Sequence, residues 1–315
     1  MNDNKSDFPR SRGLIFPARA EPILLDFSDL KLSKRSKWAL EKEALREFSS
    51  ENEGFSWILV NDRFKTILPT NVHDLCKLVY LASYITYHGK ITRSLRSYTP
   101  ASNNDLDRIL GITKSPRNYF LKSMIDLKCI CSKNDALYIN KTFLRRGYLP
   151  KTIISATRNN GGMIFRVFSN AVRDLYWQKG PRGNPIALRY LLFALPYLHS
   201  QCNVLCFNPS EENLQKIIPM KFGEFCDAAG YDRSQASRLF RTMSDAWINT
   251  DRLKERAIIR CKSKQFGLKK PCIFINPHIF FAGNTDSLDK LKQTFKQNDG
   301  ILPDTAEKTN FTVTP

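Results

Sequence analysis

Apolar residues at helical spacing predict the long helices of this chain. Between residues 72 and 87 they recur every three or four positions, which is typical of an amphipathic helix. Gly89 follows this pattern and is expected to end the helix. Residues 186–198 are mostly apolar, which predicts a second, more deeply buried helix. Shorter helices are predicted at residues 29–48, 171–177 and 287–295.

Shorter segments have the composition of strands. Residues 57–60 and Met163–Phe168 are short apolar runs, which predict two strands. Residues 130–140 contain two such runs around a polar turn at 132–135 and predict a hairpin. Residues 258–274 predict a second hairpin that is longer and strongly basic. Residues 148–160 have no sustained periodicity and are predicted to be a linker.

The most informative stretch is residues 221–243, where two short helical patterns flank Gly230. Residues 222–229 and 234–243 predict helices, and Asp232 is a candidate cap for the second one, as is typical of a helix-turn-helix. The inward positions are Phe225, Ala229, Tyr231, Ala236, Leu239, Phe240 and Met243. The outward positions are Arg233, Ser234, Gln235, Ser237, Arg238 and Arg241. The alternative interpretation is a surface helical hairpin with a solvated charged face.

The same arrangement occurs earlier in the chain, with a helix at residues 105–110, a turn at Gly111 and a second helix from Ser115, where Pro116 suits the first turn. Matched pairs in the long helices are Leu75/Leu188, Leu78/Leu191, Tyr84/Tyr197 and Ile85/Leu198. Matched pairs in the turn helices are Leu106/Phe225, Gly111/Gly230, Ser115/Ser234 and Met124/Met243. Identical pairs after the hairpins are Ile139/Ile275, Asn140/Asn276 and Gly147/Gly283. The spacing between matched residues grows along the chain, so the second copy has a longer loop and a longer hairpin.

A helix, a helix-turn-helix and a hairpin in this order predict a winged helix. We therefore expect a mainly α fold with small β-wings, an α+β fold of two tandem winged-helix domains that arose by internal duplication and are arranged as a pseudo-dimer. The expected divisions are a partly helical leader at 1–53, the first domain at 54–147, the linker at 148–160 and the second domain at 161–284. Residues 285–315 are expected to form a C-terminal helix and a disordered tail.

Charge adds a prediction about the partner. The 315 residues include 49 Lys and Arg against 30 Asp and Glu, a net charge of +19. This excess favours a polyanion, with nucleic acid first and an anionic membrane second. No apolar run approaches the ~18–20 residues that cross a bilayer. The N-terminal stretch lacks the apolar core of a signal peptide. We expect a cytoplasmic protein without a membrane partner.

Motifs for catalysis or metal binding are not recognisable. Glycine-rich nucleotide-binding patterns and the zinc-protease motif are absent, so we expect a protein that is not an enzyme and uses no cofactor. Any of the 11 tyrosines could in principle cut a strand, but no His-hydrophobic-His motif accompanies one, which argues against a rolling-circle nickase. The eight cysteines favour buried, reduced thiols over disulfides. His199, Cys202 and Cys206 come nearest to a metal cluster but lack a fourth ligand at finger-like spacing, so no metal site is expected.

Guanidinium, amide and hydroxyl groups read base edges, whereas phosphate contacts position a protein without specifying sequence. Base-contact candidates in the second copy are Arg233, Ser234, Gln235, Ser237 and Arg238. Those in the first copy are Lys114, Ser115, Asn118 and Lys122, with Tyr119 exposed beside them. Phosphate candidates are Lys221, Arg241, Arg260, Lys262, Lys264, Lys269, Lys270 and Arg182. Arg260, Lys262 and Lys264 alternate and should share one face of a strand. For each set, the alternative is an ordinary solvated face.

The exit of the second hairpin carries a family resemblance. Residues 273–283 read IFINPHIFFAG and precede a Lys-containing helix. They resemble the end of the RepL-type plasmid replication proteins, whose winged helix closes with a similar hydrophobic–Asn-Pro–hydrophobic–Gly segment. The match covers roughly residues 222–283. The first copy departs from it, because Lys141 replaces the proline and Arg117 stands where Ala236 is expected in the core. The tandem layout is similar to that of plasmid initiators with two winged helices.

The resemblance implies a sequence-specific double-stranded DNA-binding protein, acting as a plasmid or phage replication initiator on origin repeats. Replisome proteins such as a helicase or helicase loader would be further partners. The alternative is a transcriptional regulator, a repressor of the same kind of mobile element. A third interpretation, a protein-interaction scaffold, is disfavoured by the basic face. Both a monomer and a homodimer are compatible with the sequence.

Overall fold

A computed structural model describes residues 34–95, 97–178, 185–249 and 254–298 of the chain. The chain divides after Leu40 into two units. The described part of the first unit is the beginning of helix α1, Lys34–Glu51. The second unit contains the remaining elements, which form a mixed α+β fold with small antiparallel sheets. Predicted features at residues 29–33, at Arg182 and after residue 298 lie outside the described residues.

The first half of the large unit, residues 54–147, alternates short strands with helices. Its elements are β1 Phe55–Val60, α2 Asp62–Leu81, α3 Asn103–Leu110, α4 Lys114–Asp126, β2 Ile130–Lys133, β3 Ala136–Ile139 and β4 Leu144–Arg146. Helix α5 Lys151–Asn159 follows. The second half, residues 161–284, and the chain after it contain β5 Met163–Phe168, α6 Ser169–Trp177, α7 Ile186–Ala194, α8 Phe222–Ala228, α9 Ala236–Ser244, β6 Trp247–Asn249, β7 Lys254–Arg256, β8 Ile258–Ser263, β9 Leu268–Ile275, β10 Phe280–Phe281 and α10 Thr285–Asn298.

A four-stranded antiparallel sheet connects the two halves. Its strand order is β10-β5-β1-β4. Strands β1 and β5 pair along their whole length, from Phe55 opposite Phe168 to Val60 opposite Met163. The outer strands β4 and β10 each follow a hairpin and pair with the strand of their own half. The remaining strands form separate hairpins, β2-β3, β6-β7 and β8-β9.

The apolar core continues across this sheet from one half to the other. Helix α2 packs against both α6 and α7. The rings of Tyr80 on α2 and Tyr176 on α6 stack with their centroids 4.0 Å apart. One cluster of buried residues contains members from both halves, from Ile58 to Phe280. A second cluster holds the apolar face of α10 and Phe48 of α1 against the β8-β9 hairpin. The residue ranges predicted as two domains therefore have a common core.

Helix α2 ends earlier than its apolar pattern predicts. The prediction that Gly89 ends the helix is wrong, because the α-helix stops at Leu81 and a 3-10 turn, Ala82–Tyr84, follows. Ile85 then pairs with Ile91 in an isolated bridge, and Gly89 takes a φ of +83° in the connecting turn. A short apolar run fits a helix and an extended segment equally well, so periodicity alone misplaces this boundary.

Two further elements differ from the prediction. Residues 148–160 are not an irregular linker, since α5 begins after Pro150 and packs against β5. The helix has a weak apolar periodicity, because only a narrow face around Ile153 and Thr157 is buried or half-buried, so the sequence did not predict it. The β6-β7 hairpin was also not predicted, because each strand has only three residues. The strand Met163–Phe168, the two longer hairpins and α10 agree with the predictions, and α1 overlaps the predicted leader helix.

Several local structures recur in both halves. The 3-10 turn after α2 ends at Tyr84, and the 3-10 turn after α7 ends at Tyr197. The next residue forms an isolated bridge in each case, Ile85 with Ile91 and Leu198 with Leu205.

Among the described residues, none of the helices combines the length and apolar character needed to span a membrane.

Candidate nucleic-acid interface

The segment predicted as the second helix-turn-helix forms α8, a turn at Gly230 and α9. Gly230 takes a φ of +64°, a left-handed conformation that glycine adopts without strain. The Asp232 carboxylate then accepts a hydrogen bond of 2.9 Å from the Ser234 amide, and a 3-10 turn at residues 233–235 leads into α9. Hydrogen bonds from Ser234 hold the pKa of Asp232 below its usual value. This keeps a negative charge at the helix N-terminus, where it is favourable.

The inward residues of this motif fix the angle between its helices. Phe225, Leu239 and Met243 are buried. Phe222 and Phe240 pack edge to face, with ring centroids 5.1 Å apart. The motif also contacts the rest of the core, since α9 packs against α7. The outward face of α9 is therefore held on a rigid support.

The six residues predicted to face outward, Arg233 to Gln235, Ser237, Arg238 and Arg241, are all exposed. Their surroundings differ. Arg233 forms an ion pair of 3.1 Å with Asp227 on α8, and its side chain lies against Gly223. Arg238 makes no ion pair within the described part of the chain. Arg238 is thus a guanidinium available to an external group, whereas Arg233 also connects α8 to the turn before α9.

The β8-β9 hairpin lies beside this motif, because β8 contacts both α9 and α10. Along β8, Cys261 and Ser263 are buried while Arg260 and Lys262 are exposed. Lys264 lies beyond the end of β8 in the turn, so it does not share the strand face as predicted, although it is exposed. Exposed cations of the hairpin are Arg260, Lys262, Lys264, Lys269 and Lys270. Lys221 is exposed at the start of α8.

The first helix-turn-helix has a different interior. The Ser102 side chain and Asp105 cap α3 reciprocally, and Gly111 takes a φ of +62°. Arg117 on α4 is buried and donates to the Asp107 carboxylate at 2.7 Å. Arg117 also donates to the side-chain oxygen of Asn118 at 3.2 Å. An ion pair therefore joins α3 to α4 where the second motif uses Ala236.

The outward residues of the first motif are exposed, namely Lys114, Ser115, Asn118, Tyr119 and Lys122. The side-chain oxygen of Asn118 already accepts from Arg117, which restricts its orientation. Tyr119 is 79% exposed. This face offers two lysines and an aromatic ring rather than the arginines of α9.

A basic cleft that the sequence analysis did not predict lies elsewhere in the large unit. It has a volume of about 1000 Å³ and is lined by Arg93, Arg108, Arg146 and Arg173. Tyr84 and Trp177 form part of its wall. These residues come from α3, β4, α6, the 3-10 turn after α2 and a loop, so no local motif contains them.

The thiols are free and mostly buried. Of the eight cysteines Cys131 is exposed, contrary to the expectation that all would be buried. Burial raises the pKa of Cys202, Cys206 and Cys261 to about 12, which keeps these thiols protonated at neutral pH. The sulfur of Cys202 lies 3.3 Å from Nδ1 of His199, but no group of three or more metal-binding side chains occurs among the described residues.

Comparisons with protein-family models, curated proteins and solved structures give no match.

Proposed function

We propose that this chain is a sequence-specific double-stranded DNA-binding protein with two winged helices that arose by duplication. One observation carries the proposal. Helix α9 exposes Ser237, Arg238 and Arg241 and packs against strand β8, whose hairpin exposes several cations. In many DNA-binding proteins a helix in the major groove contacts the bases, and basic residues beside it contact the phosphates of the DNA backbone.

In this proposal, the side chains of α9 and of the 3-10 turn before it have two roles. Arg238 and Ser237 read base edges, since a guanidinium pairs with guanine and a hydroxyl serves either base of a pair. Gln235 has the amide that pairs with adenine. Arg233 is committed to Asp227 and holds α8 and α9 at their crossing angle.

The hairpin supplies most of the phosphate contacts. Arg260 and Lys262 project from the exposed face of β8. Lys264 and Lys269 lie near the turn, so they reach farther along the duplex. Like charges this close repel one another, and a polyanion relieves that repulsion. This argues for a nucleic-acid partner over an ordinary solvated face.

Duplication is supported by contacts that recur in the two halves, including the 3-10 turns that end at Tyr84 and Tyr197. The antiparallel pairing of β1 with β5 relates the halves as a two-fold axis would. Such an arrangement in one chain suits a site with two similar half-sites.

Within this function, we favour replication initiation at a plasmid or phage origin, with a helicase or its loader as partner. The support is the likeness of residues 273–283 to the end of the RepL-type proteins. A repressor of the same kind of element would use the same binding face, and it would differ in the position of its site.

Selection of bound duplexes from a random pool tests the proposal, followed by mapping of the enriched motif on the replicon that encodes the chain. We expect one motif, present as repeats in an origin. A single site over a promoter would favour the repressor. Failure to enrich any motif would refute sequence-specific binding.

A further inference from the structure

The basic cleft between α2, α3 and α6 does not belong to the proposed duplex-binding face, since it is lined by neither α9 nor the β8-β9 hairpin. Its volume of about 1000 Å³ is at the upper end of the range of about 300–1000 Å³ that small-molecule sites occupy. Four arginines and one acid, Glu53, are among its lining residues. The cleft therefore has a strong excess of positive charge in a concave space.

Three of these arginines make polar contacts that orient them. Arg173 forms a 2.6 Å ion pair with Glu53. Arg108 forms a 3.1 Å ion pair with Asp105 and also donates to the Arg93 carbonyl. Arg146 donates to the Ile85 carbonyl at 3.1 Å. An anion in the cleft would meet guanidinium groups whose orientation is already set, which lowers the entropic cost of binding.

The fourth arginine is free to meet a ligand. Arg93 is exposed on the loop after the Ile85–Ile91 bridge. Its side chain makes no ion pair among the residues that the structure describes. The neighbouring Arg108 carries an acid partner but is still largely exposed. Arg93 and Arg108 thus form the accessible cationic edge of the cleft.

Another part of the wall is aromatic, and hydrogen bonds hold its rings. The indole N–H of Trp177 donates to the Tyr80 hydroxyl at 3.0 Å, and the Tyr80 and Tyr84 hydroxyls lie 3.2 Å apart. The Trp177 and Tyr80 rings are nearly perpendicular. Trp177 is nevertheless 48% exposed, so a large aromatic surface faces the cleft and solvent. Burial raises the pKa of Tyr80, which keeps this phenol neutral beside the arginines.

Aromatic and cationic groups continue beyond the main cleft. A smaller adjoining hollow of about 210 Å³ shares Leu95 and Arg146 with it. Tyr87 and Tyr98 line this hollow and are 70% and 83% exposed. Exposed aromatic rings beside arginines are the combination that binds unpaired bases together with their phosphates.

We propose that this cleft binds a nucleotide whose base is unpaired, with the base against the Trp177 and Tyr84 wall and the phosphate at Arg93 and Arg108. A base within a duplex cannot stack on a protein ring, because its faces are covered by neighbouring pairs. An acidic peptide would use the arginines but has no need of the aromatic wall. The required chemistry, an anionic phosphate joined to an aromatic base, can come from an unpaired nucleic-acid strand or from a free nucleotide.

The test uses the full chain, oligothymidylate as the strand and thymidine monophosphate as the free nucleotide, at one fixed salt concentration. Binding is followed by quenching of tryptophan fluorescence and by anisotropy of labelled oligothymidylate. The variants are Arg93→Glu, Trp177→Ala and Trp177→Phe. Arg158→Glu is the control for charge, because Arg158 is exposed at the end of α5 and does not line the cleft. Thermal melting of each variant confirms that it is folded.

We expect Arg93→Glu to weaken oligothymidylate binding at least ~10-fold, and Arg158→Glu to weaken it far less. Trp177→Ala should weaken it roughly 5- to 150-fold, since one stacked base contributes about 1–3 kcal/mol, and Trp177→Phe should restore much of the loss. Binding of thymidine monophosphate with the same variant pattern identifies a free nucleotide as the source. Binding of the strand alone identifies nucleic acid.

Absence of binding to both probes overturns the proposal, as does binding that Arg93→Glu and Trp177→Ala leave unchanged in folded protein. The same variants are titrated with the selected duplex. If Arg93→Glu abolishes duplex and oligothymidylate binding equally, the cleft is part of the duplex site and the proposal fails. Oligothymidylate binding without any duplex binding would instead refute the proposed function and leave this site standing.

Discussion

Asn140 and Asn276 make the same hydrogen bonds at the exits of two different hairpins. The side-chain N–H of Asn140 donates to the Lys128 carbonyl at 2.9 Å, and that of Asn276 donates to the Arg256 carbonyl at 3.0 Å. The side-chain oxygen of each asparagine accepts from the backbone amide two residues later. Each side chain therefore ties the chain leaving a hairpin to the chain that entered it.

Asn276→Ala should lower the free energy of unfolding by about 1–3 kcal/mol, because Asn276 is fully buried and its loss leaves backbone groups unpaired. Asn140→Ala removes the two equivalent bonds at a partly exposed position, where water replaces them, and should lower the free energy of unfolding less. Asn276 also donates to the Glu255 carboxylate at 2.8 Å, which adds to the difference. Urea unfolding of both variants measures the difference. Equal costs would contradict the role of burial.

Arg238→Ala should cost about 1–3 kcal/mol on the selected duplex and much less on a scrambled duplex, because a bidentate base contact carries sequence information. Arg233→Ala is the matched control on the same face. Its ion pair with Asp227 predicts a smaller change in the ratio of the two affinities. Titration of each variant against both duplexes gives that ratio.

Lys122→Ala tests the first motif, and its effect on discrimination should lie between those of Arg238→Ala and Lys262→Ala. Lys262 on the hairpin should affect both duplexes alike, since a phosphate contact does not specify sequence. Suppose that Arg238→Ala lowers the affinity for both duplexes equally and that Lys122→Ala alone relaxes specificity. Base recognition would then belong to the first half instead.

Duplex affinity should fall steeply with salt, with a log–log slope of roughly −0.9 per neutralised phosphate. Lys262→Ala should make the slope shallower by about one unit, because one contact is lost. Arg158→Ala, outside the proposed face, should leave the slope unchanged. The measurement is a titration of the selected duplex at several salt concentrations, and a slope near zero for the natural chain would exclude an electrostatic interface.

Stability should depend on pH through His278. Burial, and to a lesser degree the charge of Lys292, lowers its pKa from 6.5 to about 3, and its ring lies against Phe48 with Nδ1 2.9 Å from the Asn52 oxygen. Between these two pH values only the unfolded chain binds the proton, so stability rises with pH by up to about 1.4 kcal/mol per unit.

His278→Asn removes the titrating group. The pH dependence of urea unfolding should therefore be shallower between about pH 3 and 6.5 in this variant than in the natural chain. If the free energy of unfolding changes with pH in the same way in both proteins, the pKa of His278 is the same in the folded and unfolded chain.

Local turn chemistry made parts of the fold predictable. Gly230 and Asp232 specify the turn and the cap of the second helix-turn-helix from neighbouring residues, and the structure has both. The first hairpin turns at Asn134 and Asp135, which adopt the left-handed conformation that these residue types tolerate. The exposed face of α9 followed from the 3.6-residue period.

Long-range arrangement could not be read in the same way. The apolar run of β1 does not identify β5 as its pairing partner. Arg93 and Arg173 are far apart in sequence and line one cleft because the packing of α2 against α6 brings their segments together. The ion pair that commits Arg233 to Asp227 also needs coordinates, since the outward register alone treats Arg233 and Arg238 as equivalent.

The β1-β5 ladder has a consequence for synthesis on the ribosome. Strand β1 leaves the ribosome long before Met163–Phe168 is made, and until then one of its edges has no hydrogen-bond partner. The apolar side of α2 that later meets α6 and α7 is also uncovered in that interval. The nascent chain thus presents an unpaired strand beside an apolar helix, the kind of surface that chaperones bind and that aggregates when translation stalls.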